Sequence, residues 1–198
     1  MGLLEHLLPE WGDLPHRRFF VQYRDRVQVD LVAIPASRRQ GKPAGSVALY
    51  DPDGRLAATM VSALESATPG DVHEWTFLAW AALADQDKYL RRGSPWEALE
   101  RLNQARSHVW GLWAVGQGIP YPSFGLTSVL DEYDPAAPPG LAVTVASLDR
   151  VDLQRAGLAL AAVLDTVSRA AASATGAVQP TAVAMYVAGL LREPLADN

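Results

Sequence analysis

The chain has no cysteine and only four histidines among its 198 residues. The absence of cysteine excludes a disulfide framework, a thiolate zinc site and a cysteine nucleophile. The histidines form no His-x-x-x-His pair, which argues against a zinc site. No apolar run approaches the ~20 residues of a membrane span, and the N-terminus lacks the basic region and apolar core of a signal peptide. We therefore expect a cytoplasmic protein without membrane contacts.

Positive charge is also scarce, since the net charge is −5 and the sequence pI is about 5.3. A general nucleic-acid surface would be basic, so we expect no nucleic-acid partner. A small anionic ligand held by two or three local cations remains compatible with this balance. Hydrophobic residues make up 49% of the chain and charged residues 20%, as in ordinary globular proteins.

The first third of the sequence has the alternating pattern of β-strands. Arg18 to Arg24 and Val27 to Ile34 predict two strands joined by a tight turn at Asp25-Arg26. A second hairpin is predicted from Ser46 to Met60, around the type I turn Asp51-Pro-Asp-Gly54. The segment from Leu3 to Leu8 has the length of one or two helical turns.

The sequence after Thr68-Pro69-Gly70 is helical in pattern. Its strongest start signal is Ser94 as N-cap, with Pro95 at the first helical position and Glu97 completing a capping box. Helices are predicted over residues 71–90, 95–115, 126–130, 151–172 and 180–192. We therefore predict an α+β fold, with a small antiparallel or mixed β lobe over residues 1–68 and an antiparallel helical bundle over residues 69–198.

Asp30 is the first candidate for chemistry, because it lies in the middle of a predicted strand and not at its end. A carboxylate beside Val29 and Leu31 is costly to bury unless a cation or several donors meet it. A bound metal, a nearby arginine or a water-filled cleft would each meet that need. With a two-residue turn, Val21 lies opposite Asp30.

Charged residues also mark the two predicted helices that follow. Glu74, Asp85 and Lys88 share one stripe of the first helix, which is either a solvated face or the lining of a cleft. Arg106 interrupts the apolar stripe of the second helix. Such an arginine pairs with a carboxylate, with Asp85, Glu74 and Asp131 as candidates, or contacts a ligand.

Arg101 and His108 match a second chemistry weakly. They lie on one predicted helix with six residues between them, and ribonucleases of the HEPN class use Arg-x(4–6)-His on a helical bundle. A HEPN-like ribonuclease is therefore an alternative, and it would cleave RNA without metal and lose activity in His108→Ala.

Four stretches together resemble the small antibiotic-modifying nucleotidyltransferases of the DNA polymerase β superfamily. Val27-Gln-Val-Asp-Leu-Val resembles the strand with the family's third carboxylate, and Ala48-Leu-Tyr-Asp-Pro-Asp-Gly-Arg-Leu resembles the hairpin after it. Glu74-Trp-Thr-Phe-Leu-Ala-Trp, continuing to Lys88-Tyr-Leu-Arg-Arg-Gly, resembles the first helix of the helical half. Trp96-Glu-Ala-Leu to Pro120-Tyr-Pro-Ser-Phe-Gly-Leu resembles the next helix and loop.

The resemblance implies transfer of a nucleotidyl group from a magnesium-bound nucleoside triphosphate to a hydroxyl of a small molecule. Asp30 would be a Mg²⁺ ligand or the base, and Lys88 and Arg92 would contact the nucleotide phosphates. Glu74, Asp85 and Arg106 are then candidates for the substrate cleft, where acids would suit a cationic antibiotic.

The sequence departs from this family in one respect. It contains no matching Gly-Ser turn followed by Asp-x-Asp, because the Gly45-Ser46 and Asp51-Pro-Asp53 pair is too closely spaced. One carboxylate cannot organise two metal ions around a triphosphate, so we expect little or no transfer by this chain alone. The alternative is a non-catalytic binding module, either a pseudoenzyme or half of a split enzyme.

The same departure predicts an open strand edge in the first hairpin. We expect that edge to dimerise, to be covered by residues 1 to 15, or to receive a strand from a separate chain.

Overall fold

A computed structural model describes residues 2–6, 17–38, 41–42, 46–59, 66–119 and 137–195. The chain divides into two compact units, Met1–Ala63 and Leu64–Asn198. The first contains the strands β1 (Gly2–His6), β2 (Arg17–Gln22) and β3 (Gln28–Ala33), with a short 3-10 turn at Ala36–Arg38. The second contains the helices α1 (Pro69–Arg91), α2 (Pro95–Gly116), α3 (Arg150–Thr175) and α4 (Thr181–Leu190), with a 3-10 turn at Leu141–Thr144.

The α+β class is confirmed, and the β unit is an antiparallel sheet in the order β1-β2-β3. The helical expectation for the segment starting at Leu3 is wrong, because Gly2–His6 forms a strand. A short segment bears the full cost of helix nucleation, whereas here β2 offers an adjacent strand to pair with. β1 therefore covers one edge of the hairpin, and β3 forms the other edge of the described sheet.

The first hairpin is confirmed, but its predicted register is wrong. Phe20 is the partner of Asp30, and Val21 is the partner of Val29. The turn is longer than expected because Tyr23 N–H donates to the Val27 carbonyl at 2.9 Å and Arg26 adopts a left-handed φ of 72°. This geometry fits a three-residue loop whose last residue is left-handed. Because strand side chains alternate, the shift of one residue moves Asp30 to the other face.

The prediction of a second hairpin is wrong, although the predicted turn is present. Gly54 N–H donates to the Asp51 carbonyl at 3.2 Å, as the type I turn requires. The Asp51 carboxylate then accepts from the backbone N–H groups of Arg55 and Leu56, both at 2.9 Å. These local bonds compete with strand pairing. In the described part of this segment, strand-like pairing is limited to an isolated bridge between Thr59 and Lys42.

Four of the five predicted helices are confirmed with slightly different ends, and the one expected at 126–130 lies outside the described residues. The start signals differ from the prediction. Ser94 is the N-cap of α2 but makes no side-chain capping bond. The capping box is instead at α1, where Thr68 and Asp71 each bond the other's backbone N–H.

The core of the helical unit lies where α1, α2 and α3 pack together. Its largest fully buried side chains are leucines of those helices, among them Leu83, Leu102, Leu112, Leu153, Leu160 and Leu164. By length and composition alone, α3 could also cross a membrane. However, 56% of its apolar window is buried within the protein, as expected for the central helix of a packed bundle.

Candidate functional site

Asp30 lies in the middle of β3, on the face opposite to the buried Val21. The pairing of Phe20 with Asp30 and of Val21 with Val29 puts the two sets of side chains on different faces. Val21 is 8% exposed, whereas Asp30 is exposed. Because the Asp30 side chain is exposed, the carboxylate does not bear the desolvation cost of a buried charge. An exposed acid on a strand remains able to meet a ligand from solution.

Asp85 and Lys88 lie together on α1. Lys88 Nζ is 2.5 Å from Asp85 Oδ1, and both side chains are about two-fifths exposed, at 39% for Lys88 and 44% for Asp85. Such exposed pairs contribute little to stability, typically below ~1 kcal/mol. The pair is therefore accessible to a ligand and can rearrange at little cost in free energy.

Glu74 and Arg92 lie at the two ends of the same helix. Glu74 is exposed and acts electrostatically on His108 of α2. Burial lowers the pKa of His108, and the Glu74 charge partly opposes that effect. Arg92 is exposed at the C-cap of α1, where its backbone N–H donates to the Lys88 carbonyl. Arg92 is therefore at the end of the helix that carries Lys88.

Among the described residues, Arg106 binds backbone and side-chain oxygens and no carboxylate. Its Nη2 donates to the Thr144 carbonyl at 2.6 Å, its Nε to Thr144 Oγ1 at 3.0 Å and its Nη1 to Asn103 Oδ1 at 2.7 Å. Burial lowers the pKa of Arg106. The prediction that Arg106 pairs with Asp85 or Glu74 is therefore wrong. The third candidate partner, Asp131, lies outside the described residues. Arg106 anchors the 3-10 turn Leu141–Thr144 to α2.

The residues of the HEPN-like pattern have separate surroundings. The Arg101 guanidinium donates to Gln104 Oε1 at 2.7 Å, and its Cζ lies 5.9 Å from the centre of the Tyr89 ring. His108 is partly buried, with Glu74 as its electrostatic neighbour. Among the described residues, the two side chains share neither a hydrogen bond nor a common acceptor.

The structure brings together Asp85 and Lys88, whereas Arg106 is engaged elsewhere. Sequence reasoning missed Tyr89, which lies next to Lys88 and contacts two cations. It also missed Asp87 and Arg91, which form a pair at 2.7 Å with the Asp87 side chain only 2% exposed. Their i,i+4 spacing was the available signal for that pair.

The described residues do not fit a two-magnesium centre. No three His, Cys, Asp or Glu side chains within the described ranges gather closely enough to hold a metal ion. Two-metal transfer needs several carboxylates around ions that clamp the reacting phosphate. Asp30 would be one of these carboxylates.

Comparison with known proteins supports the fold through structure and not through sequence. No model of a known protein family matches the chain, and no curated protein matches it. The crystal structure of an aminoglycoside 6-adenyltransferase from Bacillus subtilis is similar with a TM-score of 0.53 and 14% sequence identity. The match covers 98% of this chain and 79% of that chain. At this identity the likeness shows that the two proteins share a fold.

Proposed function

We propose that this chain is a nucleotidyltransferase-like protein that binds a nucleoside triphosphate and, on its own, transfers little or no nucleotidyl group. The observation that carries the proposal is the fold similarity to an adenyltransferase across nearly the whole chain. The four sequence stretches that resemble the same superfamily support it independently, because they occur in the family's order.

The reaction of the complete family machinery defines what Asp30 would do. An acceptor hydroxyl oxygen attacks the α-phosphorus, the bond between the α- and β-phosphates breaks, and pyrophosphate leaves. The hydroxyl proton must go to a base, and the exposed carboxylate of Asp30 is suited to take it, or would instead be a ligand of the nucleotide's Mg²⁺. The described residues supply no second and third carboxylate beside it. Full activity would therefore need carboxylates from outside the described residues.

The acceptor we propose is a small cationic molecule with a free hydroxyl, as in an aminoglycoside antibiotic. The name of the structural neighbour gives the class, and the net charge of −5 suits a cation. Glu74 is an exposed carboxylate of α1 available to bind its ammonium groups, and Asp85 becomes available if Lys88 turns toward a phosphate.

Calorimetric titration of the purified chain with Mg-ATP tests the proposal. Saturable binding that weakens in Asp30→Ala would support it. Asp53→Ala is the matched control, because Asp53 is an exposed acid of the same β unit and lies in a turn. Equal binding by wild type and both variants would rule out a role for Asp30, and absence of binding at millimolar nucleotide would reject nucleotide recognition altogether.

A further inference from the structure

Two cations lie against one aromatic ring on the surface formed by α1 and α2. Lys88 Nζ is 4.6 Å from the centre of the Tyr89 ring, and Arg101 Cζ is 5.9 Å from the same centre. Both distances are within the range of cation–π attraction. The Tyr89 ring therefore has both an ammonium group and a guanidinium group as neighbours.

The cluster of Lys88, Tyr89 and Arg101 has an excess of positive charge. Asp85 neutralises Lys88, but the described residues offer Arg101 no carboxylate, and its hydrogen bond goes to the neutral amide of Gln104. The excess positive charge of the cluster attracts an anion locally.

The Arg101 guanidinium is also fixed in place. Its Nε is buried without a hydrogen-bond partner, so that edge is packed within the protein. Its Nη1 is oriented by the hydrogen bond to Gln104. Its Nη2 makes no hydrogen bond to a described residue, and unlike Nε it is not a buried donor without a partner. A guanidinium held on one edge has already lost much of its rotamer freedom, so binding through the other edge costs less entropy.

We propose that Lys88, Tyr89 and Arg101 form a binding site for the phosphate groups of a small polyphosphate ligand. Arginine offers a planar fork that matches phosphate oxygens, and lysine adds a point charge nearby. The net charge of −5 disfavours a long polyanion, which favours a small ligand. The site deepens the proposed function, and it rests on that function only for the identification of the ligand as a nucleotide.

Titration with sodium tripolyphosphate in EDTA at low ionic strength tests the site without metal. We expect saturable binding that Arg101→Gln weakens by about tenfold or more, the effect of losing one charge-assisted hydrogen bond. Arg192→Gln removes the same charge from an exposed position at the end of α4 and should bind like wild type. Equal affinity in the two variants, or no saturable binding by wild type, would overturn the proposal.

A second variant separates ligand binding from a structural role of the ring cluster. Asp85→Asn removes the partner of Lys88, so it should tighten tripolyphosphate binding by about threefold or more through the added net positive charge. Unchanged or weaker binding would contradict the site. If Arg101→Gln does not fold, Arg101→Lys keeps the charge but loses the fork, and an unaltered affinity in that variant would also contradict the site.

Metal-free ATP, titrated in parallel, identifies the source of the phosphate. Tighter binding of ATP than of tripolyphosphate, lost in Arg101→Gln, would assign the site to a nucleotide, and equal affinities would assign it to inorganic polyphosphate. If the chain binds tripolyphosphate but shows no Asp30-dependent binding of Mg-ATP, that result would contradict the proposed function alone. If nucleotide binding depends on Asp30 but is unchanged in Arg101→Gln, that result would contradict the phosphate site alone.

Discussion

Gly157 of α3 lies against the buried amide of Gln86 from α1. A Cβ at this position would lie 2.3 Å from Gln86 Oε1 and 3.0 Å from Cδ and Nε2. Gln86 cannot move away cheaply, because it is fully buried and donates to the Leu153 carbonyl at 2.7 Å. A residue without a side chain is therefore required where these two helices meet.

Gly157→Ala should destabilise the helical unit by about 2 kcal/mol. Overpacking costs about 1–3 kcal/mol and loss of the Gln86 bond a similar amount, against about 1 kcal/mol gained from alanine's helix propensity. Gly189→Ala is the control, since a Cβ added at Gly189 would meet nothing within 4 Å, and it should be neutral or up to about 1 kcal/mol stabilising. Urea unfolding followed by far-UV circular dichroism measures both, and similar losses would contradict the Gln86 contact.

Asp152 should make the protein sensitive to acid. Hydrogen bonds from Ser147 and Arg155 lower the pKa of Asp152 from 3.8 to about 2, with the Ser147 backbone N–H as the largest cause. The unfolded chain then binds more protons, so this contribution is present above pH 3.8 and is lost as the pH falls toward about 2.

Unfolding measured across this pH range should therefore show a shallower acid dependence in Asp152→Asn than in wild type. Asp53→Asn, which removes an exposed acid of the β unit, is the control for the loss of a carboxylate elsewhere in the chain. A wild-type slope in Asp152→Asn would contradict this assignment.

Single residues differ in how far the sequence predicts their partners. The i,i+3 spacing of Asp85 and Lys88 is local, and their pairing follows from the helix itself. Arg106 bonds Thr144, 38 residues away in a turn that no periodicity predicts. Partners supplied by tertiary packing, and by backbone carbonyls in particular, leave no mark in the sequence near the residue they serve.

At the level of elements, the starts of two helices show that a capping pattern in the sequence does not guarantee a capping hydrogen bond. Ser94 and Glu97 match the capping-box pattern but Ser94 makes no side-chain capping bond, whereas Thr68 and Asp71 form the reciprocal pair. Thr68 hydrogen bonds also lower the pKa of Asp71. The pattern identifies where a helix begins, but side-chain rotamers decide which cap forms.

Thr68→Ala should therefore cost about 1 kcal/mol of helical-unit stability, the usual value for a lost N-cap bond. Ser94→Ala should stay within about 0.5 kcal/mol of wild type, because no capping bond is lost. Chemical unfolding of the two variants measures the difference. A larger loss for Ser94→Ala than for Thr68→Ala would contradict the capping geometry.

The strands were less predictable than the helices. The alternation of apolar and polar residues predicted the positions of β2 and β3. The left-handed conformation of Arg26 lengthened the turn between them and thereby shifted the strand register, which decides the face on which Asp30 lies. A positive φ at a non-glycine residue has no strong sequence signal. β1 depends on a partner strand rather than on its own propensity.

At the scale of the whole molecule, the order of β-rich and helix-rich sequence was sufficient to predict the α+β class. The similarity to an adenyltransferase fold agrees with the resemblance found in four separate sequence stretches. The candidate site was less predictable, since Lys88 was expected but its aromatic neighbour Tyr89 and the second cation Arg101 depend on how α1 packs against α2.

Titration of the wild-type chain with Mg-ATP tests the central claim most directly, because the proposed function and the role of Asp30 both depend on nucleotide binding. We predict saturable binding whose affinity falls in Asp30→Ala but not in the control Asp53→Ala. An absence of heat of binding up to millimolar nucleotide, together with an unchanged melting temperature, would contradict nucleotide binding by this chain.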